Sequence, residues 1–339
     1  MDAQTSVPLA RFTTFHIGGP ATALIHADTQ EDISTALDYA RESGLPLYVL
    51  GAGSNLLVPD EGVRGVVLHM RMSDMAMEDD GEQMLLIAGA GAMWEDIVDA
   101  ACASDLYGIE NLAGIPGTLG GAVVQNIGAY GAELAPVFAY AEVVDSATGK
   151  ESRITREEAL FAYRSSLFKK HPELIIVRVA LALAKRAPLQ TAYADLVHAR
   201  EAGTPLTTPK EVAHAVRGIR ARKFPTPAEG GTAGSFFKNP VITEEVAVAL
   251  AERYPGLPTF PQGEGMVKVP LAWILDHALA LKGYAKGPVR LYEKQPLVIV
   301  AETGARAEDV DALAREIHAR VFDATNIIIE REVETFGAR

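Results

Sequence analysis

Gly114-Ile-Pro-Gly-Thr-Leu-Gly-Gly-Ala-Val-Val-Gln-Asn-Ile-Gly-Ala-Tyr-Gly131 carries six glycines in eighteen residues, interleaved with apolar side chains. That much glycine disfavours an ordinary helix or strand. The segment is not a flexible linker either, since a linker would be rich in serine and other polar residues. It reads as main chain pressed against something large and flat, with Gln125 and Asn126 able to hydrogen-bond. A complex buried turn is the alternative.

Sixty residues earlier the apolar run 45–50 (LPLYVL) leads directly into Gly51-Ala52-Gly53-Ser54-Asn55. Glycine at 51 and 53 permits positive φ and a close main-chain approach. Consecutive amides in such a turn form a nest suited to a pyrophosphate. A Rossmann fingerprint would need glycine at 56, where the chain has Leu56, and no P-loop motif occurs. Alone, the segment reads more readily as a tight turn after a strand.

Around these segments the apolar spacing predicts helices at 31–43, 94–104, 209–222, 243–254, 270–280 and 307–323. Strands are expected at 45–50, 56–59, 65–70, 84–91, 141–145, 174–184, 297–301 and 326–333. Arg178 interrupts the 174–184 run, which is too short for a membrane span. The composition shift at 185–210 suggests a domain boundary or a long functional loop. A chain of 339 residues, 48% hydrophobic and 22% charged, suits two or three α+β domains.

The net charge of −13 argues against nucleic-acid binding but leaves room for an anionic small substrate in a local cationic pocket. The first residues lack the basic start and apolar core of a signal peptide. The single Cys102 excludes an internal disulfide and fits a reducing cytoplasm. The eight histidines show no metal-ligand spacing, so no metal site is expected.

The chain resembles the UDP-N-acetylenolpyruvoylglucosamine reductase family over nearly its whole length. The resemblance rests on Thr13-Thr14-Phe15-His16-Ile17-Gly18-Gly19-Pro20-Ala21, on Leu50-Gly51-Ala52-Gly53-Ser54-Asn55-Leu56, and on the 114–131 segment. It continues through Tyr163-Arg164-Ser165-Ser166-Leu167-Phe168-Lys169, Ala233-Gly234-Ser235-Phe236-Phe237-Lys238-Asn239-Pro240 and Glu330-Arg331-Glu332-Val333. It implies an α+β fold: a two-lobed FAD-binding domain of the vanillyl-alcohol-oxidase (PCMH) type, then a smaller α+β substrate-binding domain. The expected layout is 1–190 for the FAD domain, with lobes of about 1–70 and 71–190, and a connecting tyrosine loop at 191–210. A substrate domain follows at 211–325, and a C-terminal strand at 326–339 carries the catalytic glutamate.

The resemblance also implies chemistry. NADPH would reduce non-covalently bound FAD, and the flavin would reduce UDP-N-acetylglucosamine enolpyruvate to UDP-N-acetylmuramate for peptidoglycan. The enzyme would be a cytoplasmic monomer with no nucleic-acid or membrane partner. Arg164 would bind the substrate carboxylate, Ser235 would protonate the carbanion carbon, and Glu332, in its protonated form, would polarise the carboxylate. The FAD contacts carried over are Gly51, Ala52, Gly53, Ser54, Asn55, Gly114, Ile115, Pro116, Gly117, Thr118, Gly120, Gly121, Asn126, Gly128, Ala129, Tyr130, Gly131 and Ile176. Tyr130, Arg164, Tyr193, Lys223, Asn239 and Gln295 match substrate positions, with Tyr193 the clamping tyrosine of one subgroup.

Arg217, Arg220 and Lys223 recur every three residues, which suggests a cationic stripe on one helix face: a ligand site or merely a solvated face. Glu334 stands where the family has arginine. Two residues on, it shares a strand face with Glu332 and would favour that residue's protonated form. Two rival readings are another flavin oxidoreductase of the same fold and a non-catalytic flavin or sugar-nucleotide binding protein.

Overall fold

The computed structural model describes residues 3–338. The chain divides into two compact units: the N-terminal residues to Val7 with 21–52 and 64–221, and 8–20 and 53–63 with the chain from Arg222 onward.

The first unit holds a four-stranded sheet and a five-stranded sheet. The four-stranded sheet runs in the order Gln4–Pro8, Pro20–Ala27, Val63–Met70, Leu47–Leu50. Val63–Met70 and Leu47–Leu50 are parallel, with Leu50 opposite His69. The connecting helix Gln30–Ser43 has its limits written locally. Thr29 and Asp32 form a reciprocal capping box, and Gly44 ends the helix at φ 65°.

The five-stranded sheet is antiparallel throughout, in the order Glu151–Thr155, Phe138–Asp145, Leu174–Ala184, Gln83–Gly89, Met75–Asp80. Leu174–Ala184 is the predicted 174–184 strand, and Arg178 within it pairs with Asp74 at the margin. Trp94 starts the helix Trp94–Ala103, is wholly buried, and donates its indole N–H to the Leu112 carbonyl at 2.9 Å. Around it Leu86, Ala88, Ile97, Val98, Val179 and Leu181 make up the centre of one apolar core.

The second unit is built around Phe15, Phe236 and Phe237, whose rings meet edge to face at 6.4 and 5.1 Å. The helix Ala307–Thr325 supplies Val310, Leu313, Ile317 and Val321 to the same core. Two small antiparallel sheets complete it: Val241–Thr243, Met266–Lys268, Phe260–Gly263, and Ala285–Lys286, Val289–Leu291, Ile299–Ala301.

The observed division departs from the expected domain limits in two places. Residues 8–20 and 53–63 belong with the C-terminal part of the chain because Phe15, Ile17 and Leu57 are buried in its core. Gly231 permits this: a Cβ there would lie 2.0 Å from the Phe15 carbonyl oxygen. Most of the helix Pro209–Lys223 belongs with the first unit, because Val212, Ala213, Val216 and Ile219 are buried there.

Three local expectations also change. The 185–210 stretch contains a helix, Ala194–Glu201, which buries only Leu196 and so leaves little periodic signal. Residues 326–333 form no regular strand; only Glu334–Thr335 does, parallel to Leu56–Leu57. The expected 270–280 helix is a short α-turn, Leu271–Trp273, followed by the π-helix Ile274–Ala278.

His26 and His69 lie on adjacent strands of the four-stranded sheet with their Nδ1 atoms 3.0 Å apart. One nitrogen must donate and the other accept, so the contact holds one proton. Burial, then His26 and Arg71, push the His69 pKa down to about 4, with Asp28 opposing. The unfolded chain therefore binds more protons between about pH 4 and 6.5, and stability from this site is lost as pH falls through that window. Urea unfolding should show a lower midpoint at pH 5 than at pH 7.5, and His69→Gln should flatten the difference. An equally steep loss in the variant would exclude the pair as its source.

Candidate active site

The glycine-rich 114–131 segment does contain a helix, contrary to the expectation from its composition. Leu119–Gln125 is capped by Thr118, whose hydroxyl accepts from the Gly121 N–H, and it ends at Asn126 in the left-handed region. Two main-chain bonds seat it: Leu119 N–H on the Ala92 carbonyl at 2.8 Å, and Gly120 N–H on the Ala90 carbonyl at 2.9 Å. Gly120 allows that approach, since a Cβ there would lie 3.0 Å from Ala90. Beyond the helix Gly128–Ala129 pairs with Ala132–Glu133 around Tyr130 and Gly131, both with positive φ, the form of a tight two-residue hairpin.

The two glycine-rich segments of the sequence meet here. A Cβ on Gly51 would lie 2.6 Å from the Thr118 hydroxyl oxygen, so the end of strand Leu47–Leu50 packs directly on the capped helix. Pro116, Gly121 and Gly131 are exposed along this ridge, while Ala52, Gly114, Ile115, Gly117, Gly128 and Ala129 are half-buried. Open main chain among small residues, with a Cβ at Gly131 meeting nothing within 4 Å, suits a flat cofactor. Ile176 is buried in the sheet behind it, and Gly53, Ser54 and Asn55 fall in the second unit.

Arg164 occupies the tip of a tight turn, at φ 53°, where Ala162 and Ser165 exchange both main-chain bonds at 3.0 Å. Its guanidinium donates to the Gly128 carbonyl at 2.6 Å and the Asn126 carbonyl at 3.4 Å. The Asn126 side chain is spent inside the protein: Oδ1 accepts from Ala135 N–H and Nδ2 donates to the Ala162 carbonyl, each at 3.0 Å. Gln125 Oε1 likewise accepts from Lys169 Nζ at 2.6 Å. Both side-chain amides thus bond to groups of the protein itself.

A pocket of ≈ 520 Å³ lies beside this hairpin, with Tyr130, Gln190, Thr191, Tyr193 and Arg200 among its lining residues. The Tyr130 and Tyr193 rings meet edge to face at 5.3 Å, which places the predicted clamp on a predicted substrate residue. Burial raises the Tyr130 pKa and keeps its phenol neutral. Asn111, missed in the sequence, holds the pocket wall by donating to the Tyr130 and Gln190 carbonyls, both at 2.8 Å. No sequence pattern marks that role.

The expected cationic stripe is largely consumed within the first unit. Arg217 pairs with Glu95 and Asp99. Arg220 donates to the Gly114 carbonyl at 2.8 Å, and burial lowers its pKa. Glu95, also unmarked in the sequence, accepts from the Gly114 N–H at 2.6 Å and so fixes the start of the glycine-rich segment. Lys223 ends its helix half-buried.

In the second unit the structure brings Ser235, Glu332, Asn55 and Gln295 together through main-chain bonds. Ser235 is paired in an antiparallel bridge with Val298, whose N–H donates to the Gln295 carbonyl at 2.9 Å. The next carbonyl, that of Phe236, accepts from Glu332 N–H at 2.8 Å. Asn55 Nδ2 then donates to the Glu332 carbonyl at 3.1 Å. Val333 is buried between half-buried Glu332 and Glu334, the alternation expected of an extended segment. Asn239 is placed differently: its Oδ1 accepts from Leu271 N–H at 2.9 Å and caps the following turn.

Residues 21–155 match the FAD binding domain family model, and residues 226–336 match the C-terminal domain of UDP-N-acetylenolpyruvoylglucosamine reductase. The chain therefore joins a flavin-binding domain of the expected PCMH type to a reductase C-terminal domain. UDP-N-acetylenolpyruvoylglucosamine reductase of Escherichia coli (strain K12) is 38% identical over 333 residues, 97% of this chain and 96% of the relative. That of Pseudomonas putida is 36% identical, over 97% of each chain. The crystal structure of UDP-N-acetylenolpyruvylglucosamine reductase from Thermus caldophilus superposes with a TM-score of 0.69 at 29% identity, covering 99% of both chains. The chain belongs to the UDP-N-acetylenolpyruvoylglucosamine reductase family.

Gly53 sits at φ 60°, and a Cβ there would lie 2.1 Å from the Phe12 carbonyl oxygen. Gly53→Ala should cost about 2 kcal/mol or more and lower the melting temperature. A variant that melts with the parent would show that the main chain at 12–13 yields.

Proposed function

We propose that this chain reduces the enolpyruvyl group of UDP-N-acetylglucosamine enolpyruvate to give UDP-N-acetylmuramate, with NADPH as the source of reducing equivalents. The observation that carries this reading is the near-complete match, over 97% of the chain, to reductases of that name, together with both of their domain models. Bound FAD supplies the relay of hydride from NADPH to the substrate. Gly51, Ala52, Ile115, Pro116, Gly117, Thr118, Gly121 and Gly131 would hold it through their main chain.

The remaining chemistry falls to this chain's side chains. Arg164 binds the substrate carboxylate through its planar fork and offsets the negative charge that gathers there during reduction. Ser235 gives its proton to the carbon next to the one that receives hydride. Glu332, protonated, donates to the carboxylate and draws off the same charge. Tyr130, Tyr193, Lys223, Asn239 and Gln295 serve the rest of the sugar nucleotide. For Asn239 its main chain or Nδ2 is the available contact, since Oδ1 caps Leu271.

No helix among the described residues is long and apolar enough to cross a membrane. Burial, with Glu110 adding to it, pushes the Cys102 thiol up to about 11 and keeps it inert. We propose that the chain acts on this small-molecule substrate as a cytoplasmic monomer.

The purified protein should show a flavin spectrum and oxidise NADPH only when UDP-N-acetylglucosamine enolpyruvate is present. Ser235→Ala should slow reoxidation of the reduced flavin by substrate by about 10² or more, and leave flavin reduction by NADPH near the parent rate. NADPH oxidation that ignores the substrate would overturn the reading.

A further inference from the structure

Arg164 is held in a conformation that an arginine does not choose for itself. It sits at φ 53°, a region that costs a non-glycine residue about 1 kcal/mol. Its turn is closed by two bonds between Ala162 and Ser165. A guanidinium meant to fork onto a carboxylate must also be fixed in its own plane.

Asn126 meets both requirements. Its Nδ2 donates to the Ala162 carbonyl at 3.0 Å and so ties down the base of the turn. Its main-chain carbonyl accepts from Arg164 Nη1 at 3.4 Å, and the Gly128 carbonyl, two residues on, accepts from Nη2 at 2.6 Å. Asn126 is only 1% exposed, and its own left-handed φ of 42° aims both groups. Its Oδ1, on Ala135 N–H, stops the amide from rotating. Gly128 keeps the space clear, because a Cβ there would lie 3.0 Å from Arg164 Nη1.

We propose that Asn126 is a positioning residue for the reaction, acting through Arg164 rather than through the flavin. This rests on the reading of Arg164 as the carboxylate ligand. Asparagine suits the position because it tolerates the left-handed region and its amide both donates, to the Ala162 carbonyl and to Glu133 Oε2, and accepts, from Ala135 N–H. Aspartate would keep the acceptor toward Ala135 and lose the donor toward Ala162.

The test uses Asn126→Asp and Asn126→Gly, each made alone and with Arg164→Lys, in the FAD-loaded enzyme. Glycine keeps the backbone conformation should aspartate fail to fold. Calorimetry on the oxidised enzyme gives the Kd for UDP-N-acetylglucosamine enolpyruvate, and stopped flow separates flavin reduction by NADPH from reoxidation by substrate.

The single Asn126 variants should retain FAD and reduce it within about 2-fold of the parent rate. They should bind substrate and reoxidise about 10-fold more poorly, and add nothing beyond Arg164→Lys in the double variants. Loss of FAD, equal damage to both half-reactions, or additive effects in the double variants would assign Asn126 to the fold or the cofactor and overturn the proposal. Arg164→Lys with unchanged substrate binding and reoxidation would overturn the reading of Arg164, and the proposal with it. Damage from Arg164→Lys alone, with both Asn126 variants at the parent rate, would overturn the positioning role only.

Discussion

Each glycine inside a helix costs about 1 kcal/mol relative to alanine, and Leu119–Gln125 carries two within seven residues. A helix that short and that rich in glycine does not form by propensity. It forms because Thr118 caps it, and because Leu119 and Gly120 hand their first amides to the Ala92 and Ala90 carbonyls. A Cβ at 120 would lie 3.0 Å from Ala90 and crowd that seating. The same seating sets where the helix ends, and its end at Asn126 sets where the Gly128 carbonyl meets Arg164. Close main-chain packing at Gly120 thus bears on the aim of a guanidinium distant in the chain, and the helix gives up local stability for position.

Charge in this chain follows a similar economy of placement. The net charge of −13 does not describe the surroundings of any one residue. Arg217 is neutralised by Glu95 and Asp99, and Arg220 is buried against the Gly114 carbonyl. These basic residues brace the glycine-rich segment, and two of the three charges in the stripe are therefore committed to structure. Arg164 donates to the Asn126 and Gly128 carbonyl oxygens, and those bonds orient its planar fork.

Legibility in the sequence follows how local the determining physics is. The helix Gln30–Ser43 was readable because its cap and its terminating glycine lie within its own residues. The strand Leu174–Ala184 was readable because burial on both faces makes a continuous apolar run. The helix inside 114–131 was not, because the bonds that stabilise it come from Ala90 and Ala92. Nor could apolar spacing show that Phe15 and Leu57 pack with Phe236, since that pairing spans most of the chain. The resemblance singled out Arg164, Ser235 and Glu332 as positions. It carried no information on how such residues are held: Asn126 and Asn239 stood among the contacts, and the structure adds that their side chains bond to protein groups.

Ser235 and Glu332, to which we assign the proton transfer and the acidic group, are held in register without a regular sheet. A single residue, Phe236, links them. The Phe236 N–H donates to the Leu297 carbonyl at 2.7 Å, and the Phe236 carbonyl accepts from Glu332 at 2.8 Å and Val333 at 3.4 Å. The Phe236 ring is 1% exposed and packs against Phe15 and Phe237. The hydrogen bonds fix the two segments in register, and the ring fixes that register to the core. Displacing Ser235 relative to Glu332 would break at least one of these bonds or pull an aromatic ring from its cluster, each costing more than thermal energy. Regular strand structure would have added further bonds on either side without making this peptide any better placed. The irregularity of 326–333 is therefore compatible with precision, because the constraint comes from the neighbouring segments and from the core beneath them.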